Sequence, residues 1–218
     1  HLLEEALASG LEVPRVFYTA EAEREVRRLL ARRRAAPQVY RVAAKVFETL
    51  SATPAAQGVA ALVRPRLWRL EELFAPAPAL VVVLAGVQDP GNAGAILRTA
   101  EAFGATGALL LEGTVHPENP KFLRASAGSV FRLPHRHGIK YGAALEELRR
   151  HGAHLYAAVP RARRTLDDVD FTRPLALAIG AEGAGVPEPI RAAAEAVAIP
   201  HARRVESLNA AMAAGIFL

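Results

Sequence analysis

The chain has 218 residues, 51% of them apolar, and a formal net charge of +5 at neutral pH, enough for one large or two small domains. It contains no cysteine, which excludes disulfides, thiolate nucleophiles and cysteine zinc sites. No run approaches the ~20 apolar residues of a membrane-spanning helix, and His1-Leu2-Leu3-Glu4-Glu5 lacks the regions of a signal peptide, so a soluble cytoplasmic protein is the simplest expectation.

Apolar periodicity predicts a helix over 2–9, a strand over 13–18, a charged helix over 20–34, a strand over 38–42, a short helix over 43–50 and a strand over 58–63. Residues 65–78 hold Trp68 and three prolines (Pro65, Pro76 and Pro78) and read as a linker. Beyond it the pattern gives a strand over 80–85, a helix over 92–103, a strand over 107–111, helices over 118–127 and 141–151, strands over 153–159 and 174–179, and helices over 187–196 and 207–217. Strands alternating with helices imply an α/β fold with a parallel sheet covered on both faces. Domain boundaries follow as 1–64, a linker 65–78, and 79–218. The chain begins without an initiator Met and stops inside an apolar run, so both ends are read as trimmed or disordered.

Most of the positive charge is arginine, since lysine occurs only at positions 45, 121 and 140. Guanidinium groups pair with phosphate bidentately and stack on bases, which suits RNA. Abundant Ala and Pro give the excess a second source, a biased genome composition. On the helix over 20–34, Glu21, Glu23 and Glu25 stand at spacings that can partner Arg24, Arg27 and Arg28. Arg32, Arg33 and Arg34 have no such partners and are the better phosphate contacts.

The most informative stretch is Gly91-Asn92-Ala93-Gly94-Ala95-Ile96-Leu97-Arg98-Thr99-Ala100. It follows the buried-strand run 80–86 through the polar turn Gln88-Asp89-Pro90 and opens a helix with an apolar stripe of Ile96, Leu97, Ala100 and Phe103. Asn92 sits where an N-cap belongs, and Arg98 emerges beside the stripe. Two later segments have a similar strand-to-turn character: 175–185, which runs into Gly180-x-Glu182-Gly183-x-Gly185, and 199–209, which reads Ile199-Pro200 and then Glu206-Ser207-Leu208-Asn209.

Taken in order, these three segments resemble the motifs of the SpoU (TrmH-like) branch of the SPOUT methyltransferases. The third departs from the pattern at His201, Arg203 and Ala210-Ala211. The resemblance implies a parallel-sheet SPOUT core with a C-terminal trefoil knot, preceded by a small α/β RNA-binding domain like certain ribosomal proteins. It further implies 2'-O-ribose methylation of structured RNA, S-adenosylmethionine as cofactor without metal, and a homodimer. The front domain favours ribosomal RNA, with guanosine in large-subunit rRNA the expected target. A tRNA substrate, or a non-catalytic RNA-binding protein on the same fold, are the alternatives.

For the site residues, the resemblance makes Arg98 the fixed positive charge that stabilises the developing alkoxide, rather than a base, because a guanidinium rarely yields its proton. A surface ion pair is the plainer role for that side chain. Asn92 either holds the turn or bonds substrate. Glu182 either orients Arg98 or the loop across the site, or is a solvated loop residue. Ser207 and Asn209 either cap the last helix or position substrate. The resemblance places the cofactor against backbone near Gly180, Ile199 and Leu208. Ala210, Ala211, Ala213, Ala214 and Gly215 either admit a second subunit or pack within one. The spacing of Gly180, Gly183 and Gly185 does not fit G-x-G-x-x-G, and Ser207 lacks a nucleophile elbow. His135, His137, His151 and His154 lie in or beside polar turns without a zinc motif and read as solvated.

Overall fold

A computed structural model describes residues 1–31, 37–51, 57–202 and 206–218. The chain divides into two compact units, His1–Leu67 and Trp68–Leu218. No helix among the described residues is long and apolar enough to cross a membrane.

The first unit contains α1 (Leu2–Ala8), β1 (Arg15–Tyr18), α2 (Glu23–Leu30), β2 (Gln38–Arg41), α3 (Ala44–Leu50) and β3 (Val59–Leu62). Its sheet runs β2-β1-β3, with β1 parallel to β2 and antiparallel to β3. Leu3, Leu7, Val16, Val26 and Phe47 supply buried apolar side chains. On α2, Arg27 pairs with Glu23 at 2.7 Å and Arg28 with Glu25 at 2.6 Å, the i,i+4 and i,i+3 neighbours the helix makes available. Arg24 takes no such partner among the described residues. Arg32, Arg33 and Arg34 lie outside the described residues.

The second unit is built on a seven-stranded sheet: β4 (Leu80–Ala85), β5 (Gly107–Leu111), β6 (His135–Ile139), β7 (His154–Ala158), β8 (Arg164–Thr165), β9 (Leu175–Gly180) and β10 (Glu195–Ala198). The order is β6-β5-β4-β9-β7-β10-β8, and every recorded pairing is parallel. Helices α4 (Pro90–Ala102), α5 (Pro120–Ser126), α6 (Ser129–Arg132), α7 (Tyr141–Arg150), α8 (Glu188–Ala193) and α9 (Ala210–Phe217) connect and cover it. The strand period of two sorts β4 cleanly. Val82 and Leu84 join Ile96, Leu97, Phe122 and Phe217 on one side, while Val81 and Val83 join Leu73, Leu148 and Ile190 on the other.

The α/β class and parallel core expected from the alternation are present, but four local readings need correction. Strand β6 was expected as a turn because His135-Arg136-His137-Gly138 carries no apolar alternation; it is an edge strand, so one side has no strand to match. The alanine-rich stretch over 187–196 favours helix, yet the helix stops at Ala193 and the chain turns into β10, which pairs with β7 and β8. The helix over 118–127 ends at Ser126, where Ala127 (φ 48°) and Gly128 (φ 94°) reverse the chain into α6. Much of the stretch read as a linker is core: Trp68, Leu73 and Phe74 are buried, and the buried Thr106 hydroxyl donates to the Leu73 carbonyl at 2.7 Å. A Cβ on Gly107 would lie 2.6 Å from the Leu73 Cα, so this segment and β5 pack at backbone range.

His137 and His154 are exposed as expected, whereas His135 and His151 are less solvated. His135 is largely buried, which pushes its pKa down, and its Nδ1 lies 2.9 Å from the Leu133 carbonyl. His137 packs edge-on against His116, His151 stacks on Phe74, and His154 meets Glu195 at 2.9 Å. The rings beside His137 and His151 and the carboxylate beside His154 come from residues distant in sequence.

Candidate active site

The sheet order places a switch point at β4. From β4 the chain moves outward through β5 to β6 on one side, whereas β9 pairs along the other. Loops leaving the carboxyl ends of β4 and β9, where Ala85 pairs with Gly180, therefore open beside each other. Parallel sheets bind ligands at such edges because no connection fills the crevice between diverging loops.

Helix α4 starts at Pro90, two residues earlier than the sequence suggested. Asp89, not Asn92, is its N-cap: Asp89 Oδ1 accepts from the Asn92 amide at 2.7 Å, and Pro90 fills the first turn, where no N–H is missed. The Asn92 side chain is thereby left for longer contacts. Its Nδ2 donates to Glu182 Oε1 at 2.9 Å, and its Oδ1 accepts from Asn209 Nδ2 at 3.0 Å. Asn209 Nδ2 also donates to Glu182 Oε1 at 2.7 Å. Its Oδ1 meanwhile caps α9, accepting from the amides of Ala211 and Met212 at 3.0 and 3.2 Å. One carboxylate and two carboxamides thus tie the starts of two helices to the loop after β9.

Glu182 does not engage Arg98 among the described residues; it accepts from the two amides instead. Arg98 is exposed on α4, with no hydrogen bond or ion pair to any described residue. The surface ion pair considered for it is therefore absent among the described residues. Ser207 is exposed and makes no side-chain hydrogen bond among the described residues. Asn209 alone caps the last helix.

The three backbone positions expected to hold a cofactor fall on or near the same edge. Gly180 ends β9 and Ile199 follows β10, with β7 between those strands, while Leu208 directly precedes Asn209. At Gly180, a Cβ would overlap the backbone of Gly185 and Val186. The loop folds back there through an Ala181–Gly185 bridge, so the close approach that requires glycine comes from the chain itself. Gly183 (φ 82°) faces open space, leaving that loop backbone available at the crevice. Ile199 is half-buried against the core, and its carbonyl lies 2.7 Å from His201 Nδ1. Arg203 lies outside the described residues.

Two supporting residues were missed by the sequence reading. Lys121 bonds Asp89 Oδ2 at 2.8 Å, and this, with the Asn92 amide, holds the Asp89 carboxyl below its usual range. The Asp-Pro pair before an apolar helix was the available signal for Asp89; Lys121 had none. Gly94, within the first motif, has a packing role: a Cβ there would meet the Phe122 carbonyl at 2.6 Å and Ala125 Cβ at 2.7 Å, so α4 and α5 need its absence.

Helix α9 divides its small residues between two environments. Ala210, Ala214 and Phe217 are buried in the core, and Gly215 approaches Thr99 of α4. Met212 and Ile216, one turn apart, stand 63% and 43% exposed.

Comparison with known proteins matches this arrangement. The family model described as "SpoU rRNA Methylase family" covers residues 79–218, and one described as "MRM3-like substrate binding domain" covers residues 1–61. A relative from Synechocystis sp., named an uncharacterized tRNA/rRNA methyltransferase, is 40% identical over 222 residues, spanning all of this chain and 80% of its own length. The 23S rRNA (guanosine-2'-O-)-methyltransferase RlmB of Nitrosomonas europaea is 37% identical over 181 residues, covering 78% of this chain and 67% of its own. The crystal structure of the SpoU methyltransferase AviRb from Streptomyces viridochromogenes, in complex with the cofactor AdoMet, superposes with a TM-score of 0.87 at 29% identity, over 99% of this chain and 84% of its own. With its sheet order, its three joined motifs and these matches, the chain belongs to the SpoU rRNA Methylase family.

Proposed function

We propose that this chain transfers a methyl group from S-adenosylmethionine to a ribose 2'-hydroxyl of RNA, on a guanosine of large-subunit rRNA. The observation that carries the reading is the Asn92–Glu182–Asn209 network, which gathers one side chain from each of the three motifs at the switch-point edge. The cofactor fits that edge by its chemistry. Adenine and ribose require amide and carbonyl partners, and the segments after β9 and β10 present backbone at Gly183 and near Ile199, with Leu208 and Gly180 completing the same reading. When bound, the cofactor supplies an electrophilic methyl group.

The protein's part is positioning and charge. Arg98 places a permanent cation where the 2'-oxygen becomes an alkoxide, with a substrate phosphate assisting proton removal. Glu182, Asn92 and Asn209 hold the loop and both helix starts in register, so their role is to fix the crevice in which Arg98 acts. Ser207 is exposed two residues before the cap, and in this reading it contacts RNA. A homodimer through α9 completes the reading: Met212 and Ile216 offer exposed apolar surface, and Arg98, without a partner among the described residues, would face the second subunit's crevice. The first unit serves as the RNA-binding domain, with Arg32, Arg33 and Arg34 as phosphate contacts.

Ribosomal RNA is favoured over tRNA by the likeness to the Nitrosomonas europaea enzyme. Labelled methyl transfer to separated large-subunit rRNA and tRNA, each from cells lacking the enzyme, tests this choice. Label in the rRNA is expected. Label confined to tRNA would move the substrate, and RNA binding without transfer would favour a non-catalytic protein.

A further inference from the structure

The two faces of the first unit's sheet differ at the central strand, one covered there and the other open. Val16 is completely buried, so the face it points to is covered over the central strand, although Val39 beside it on β2 is 42% exposed. Side chains alternate along a strand, which turns Arg15 and Phe17 to the opposite face. The parallel register then sets Gln38 beside Arg15 and Tyr40 beside Phe17, and the antiparallel register adds Ala60 and Leu62. None of these six residues is acidic, and none is buried.

The side chains on this face are organised. The rings of Phe17 and Tyr40 stack, with centroids 5.4 Å apart and planes 17° from parallel. Gln38 Oε1 accepts from the Tyr40 hydroxyl at 3.1 Å and from Arg15 Nε at 3.4 Å. Phe17 covers one face of the Tyr40 ring. Because β2 is the outer strand and Tyr40 is 43% exposed, the other ring face is open to solvent. Arg15 pairs with no carboxylate among the described residues. Its guanidinium sits one residue pair along the sheet, a strand rise of about 7 Å, which one nucleotide can span.

Each of these groups has a counterpart in an unpaired nucleotide. An open aromatic face takes a base irrespective of its identity, a guanidinium takes a phosphate, and the free Gln38 amide can donate to a base edge. We propose that this face binds an unpaired base of the RNA substrate, stacked on the open side of Tyr40, with Arg15 at the adjoining phosphate. The proposal rests on the reading of this chain as an RNA-modifying enzyme and gives its first unit a defined contact. It also assigns Phe17 the task of holding the Tyr40 ring upright at the sheet edge, so that the base extends an existing stack.

The test uses the full chain and a single-stranded RNA of about eight nucleotides carrying one 2-aminopurine, within the range such surfaces occupy. Binding should quench the 2-aminopurine, and Tyr40→Leu should remove most of the quench and weaken affinity about 10-fold. Tyr40→Trp should keep both, and Arg15→Ala should weaken binding mainly at low salt. S-adenosylmethionine affinity should be unchanged in all three. Should Tyr40→Leu unfold, photo-crosslinking of 5-iodouridine RNA to the unaltered protein replaces it, with Tyr40 the expected site. Undiminished quench in folded Tyr40→Leu, or crosslinks only elsewhere, would overturn the platform while leaving the methyltransferase reading intact. Self-association lost on Tyr40→Leu with RNA binding unchanged would assign the face to a second copy and overturn it too. If the unaltered protein binds no RNA and methylates none, both readings fall together.

Discussion

Asn92 and Asn209 stand 117 positions apart, yet the Nδ2 of the second donates to the Oδ1 of the first at 3.0 Å. Glu182 receives a hydrogen bond from each, so the link between two helix starts also fixes the loop after β9. Asn209 has a double task, because its Oδ1 caps α9 while its Nδ2 joins the network.

Those two tasks separate by mutation. Asn209→Ala should lose both, costing about 1 kcal/mol of stability for the cap and lowering methyl transfer. Asn209→Ser retains a capping oxygen but cannot donate as the carboxamide does. It should unfold close to the unaltered midpoint while its transfer rate falls about 10-fold, a loss of ~1.4 kcal/mol at the transition state. Urea unfolding and single-turnover rates decide; equal rates in the serine variant and the unaltered enzyme would confine Asn209 to capping.

Arg98→Ala should lower the methyl-transfer rate by ~100-fold or more, the scale of losing one oxyanion donor. Arg98→Lys should recover little, since a point charge does not reproduce the planar fork. Cofactor affinity, measured by calorimetry, should barely change. A near-normal single-turnover rate in Arg98→Ala would remove Arg98 from the chemistry.

Met212 and Ile216 lie on the exposed side of α9, opposite the alanines that pack inward. Met212→Asp with Ile216→Asp should leave the fold intact, since neither side chain is in the core, and should leave the chain monomeric if the proposed dimer forms through α9. On the proposed assembly, activity should fall in the same variant, because Arg98 would then have no second crevice to serve. Light scattering coupled to an activity titration checks the pair; a fully active monomer would separate catalysis from assembly.

Glu101 of α4 meets Arg132 of α6 at 2.6 Å. Burial raises the Glu101 carboxyl pKa, but the hydrogen bonds from Arg132 and Ser129 outweigh it and leave the folded value lowered. A lowered folded pKa means the contribution is complete above the ordinary glutamate range and is lost as pH falls through the folded value. Urea midpoints of the unaltered protein and Glu101→Gln should therefore differ most at neutral pH and converge in acid. A gap that stays constant to low pH would show that the ionised form does not matter.

Much of the core was legible because its strands announce themselves. Leu80-Val81-Val82-Val83-Leu84 and Leu175-Ala176-Leu177-Ala178-Ile179 are continuous apolar runs, as strands buried on both faces must be. Edge strand β6 was hidden because only one side is paired, and β10 because its alanines suit a helix equally well. At the site, the residue types of Asn92, Glu182 and Asn209 were readable, but their mutual bonds were not, because sequence carries no record of which strand ends adjoin. Asp89 escaped notice for a local reason. Both Asp89 and Asn92 can cap a helix, and only Pro90 at the following position decides between them.

The central claim is that this chain methylates a ribose hydroxyl, and the identity of the methylated nucleoside tests it most directly. Large-subunit rRNA from cells lacking the enzyme is treated with the purified protein and S-adenosylmethionine, digested to nucleosides and analysed by mass spectrometry. The account predicts a new 2'-O-methylguanosine, absent when Arg98→Ala replaces the unaltered protein. A methyl group on a base, or no new methylated nucleoside with any RNA, would contradict it.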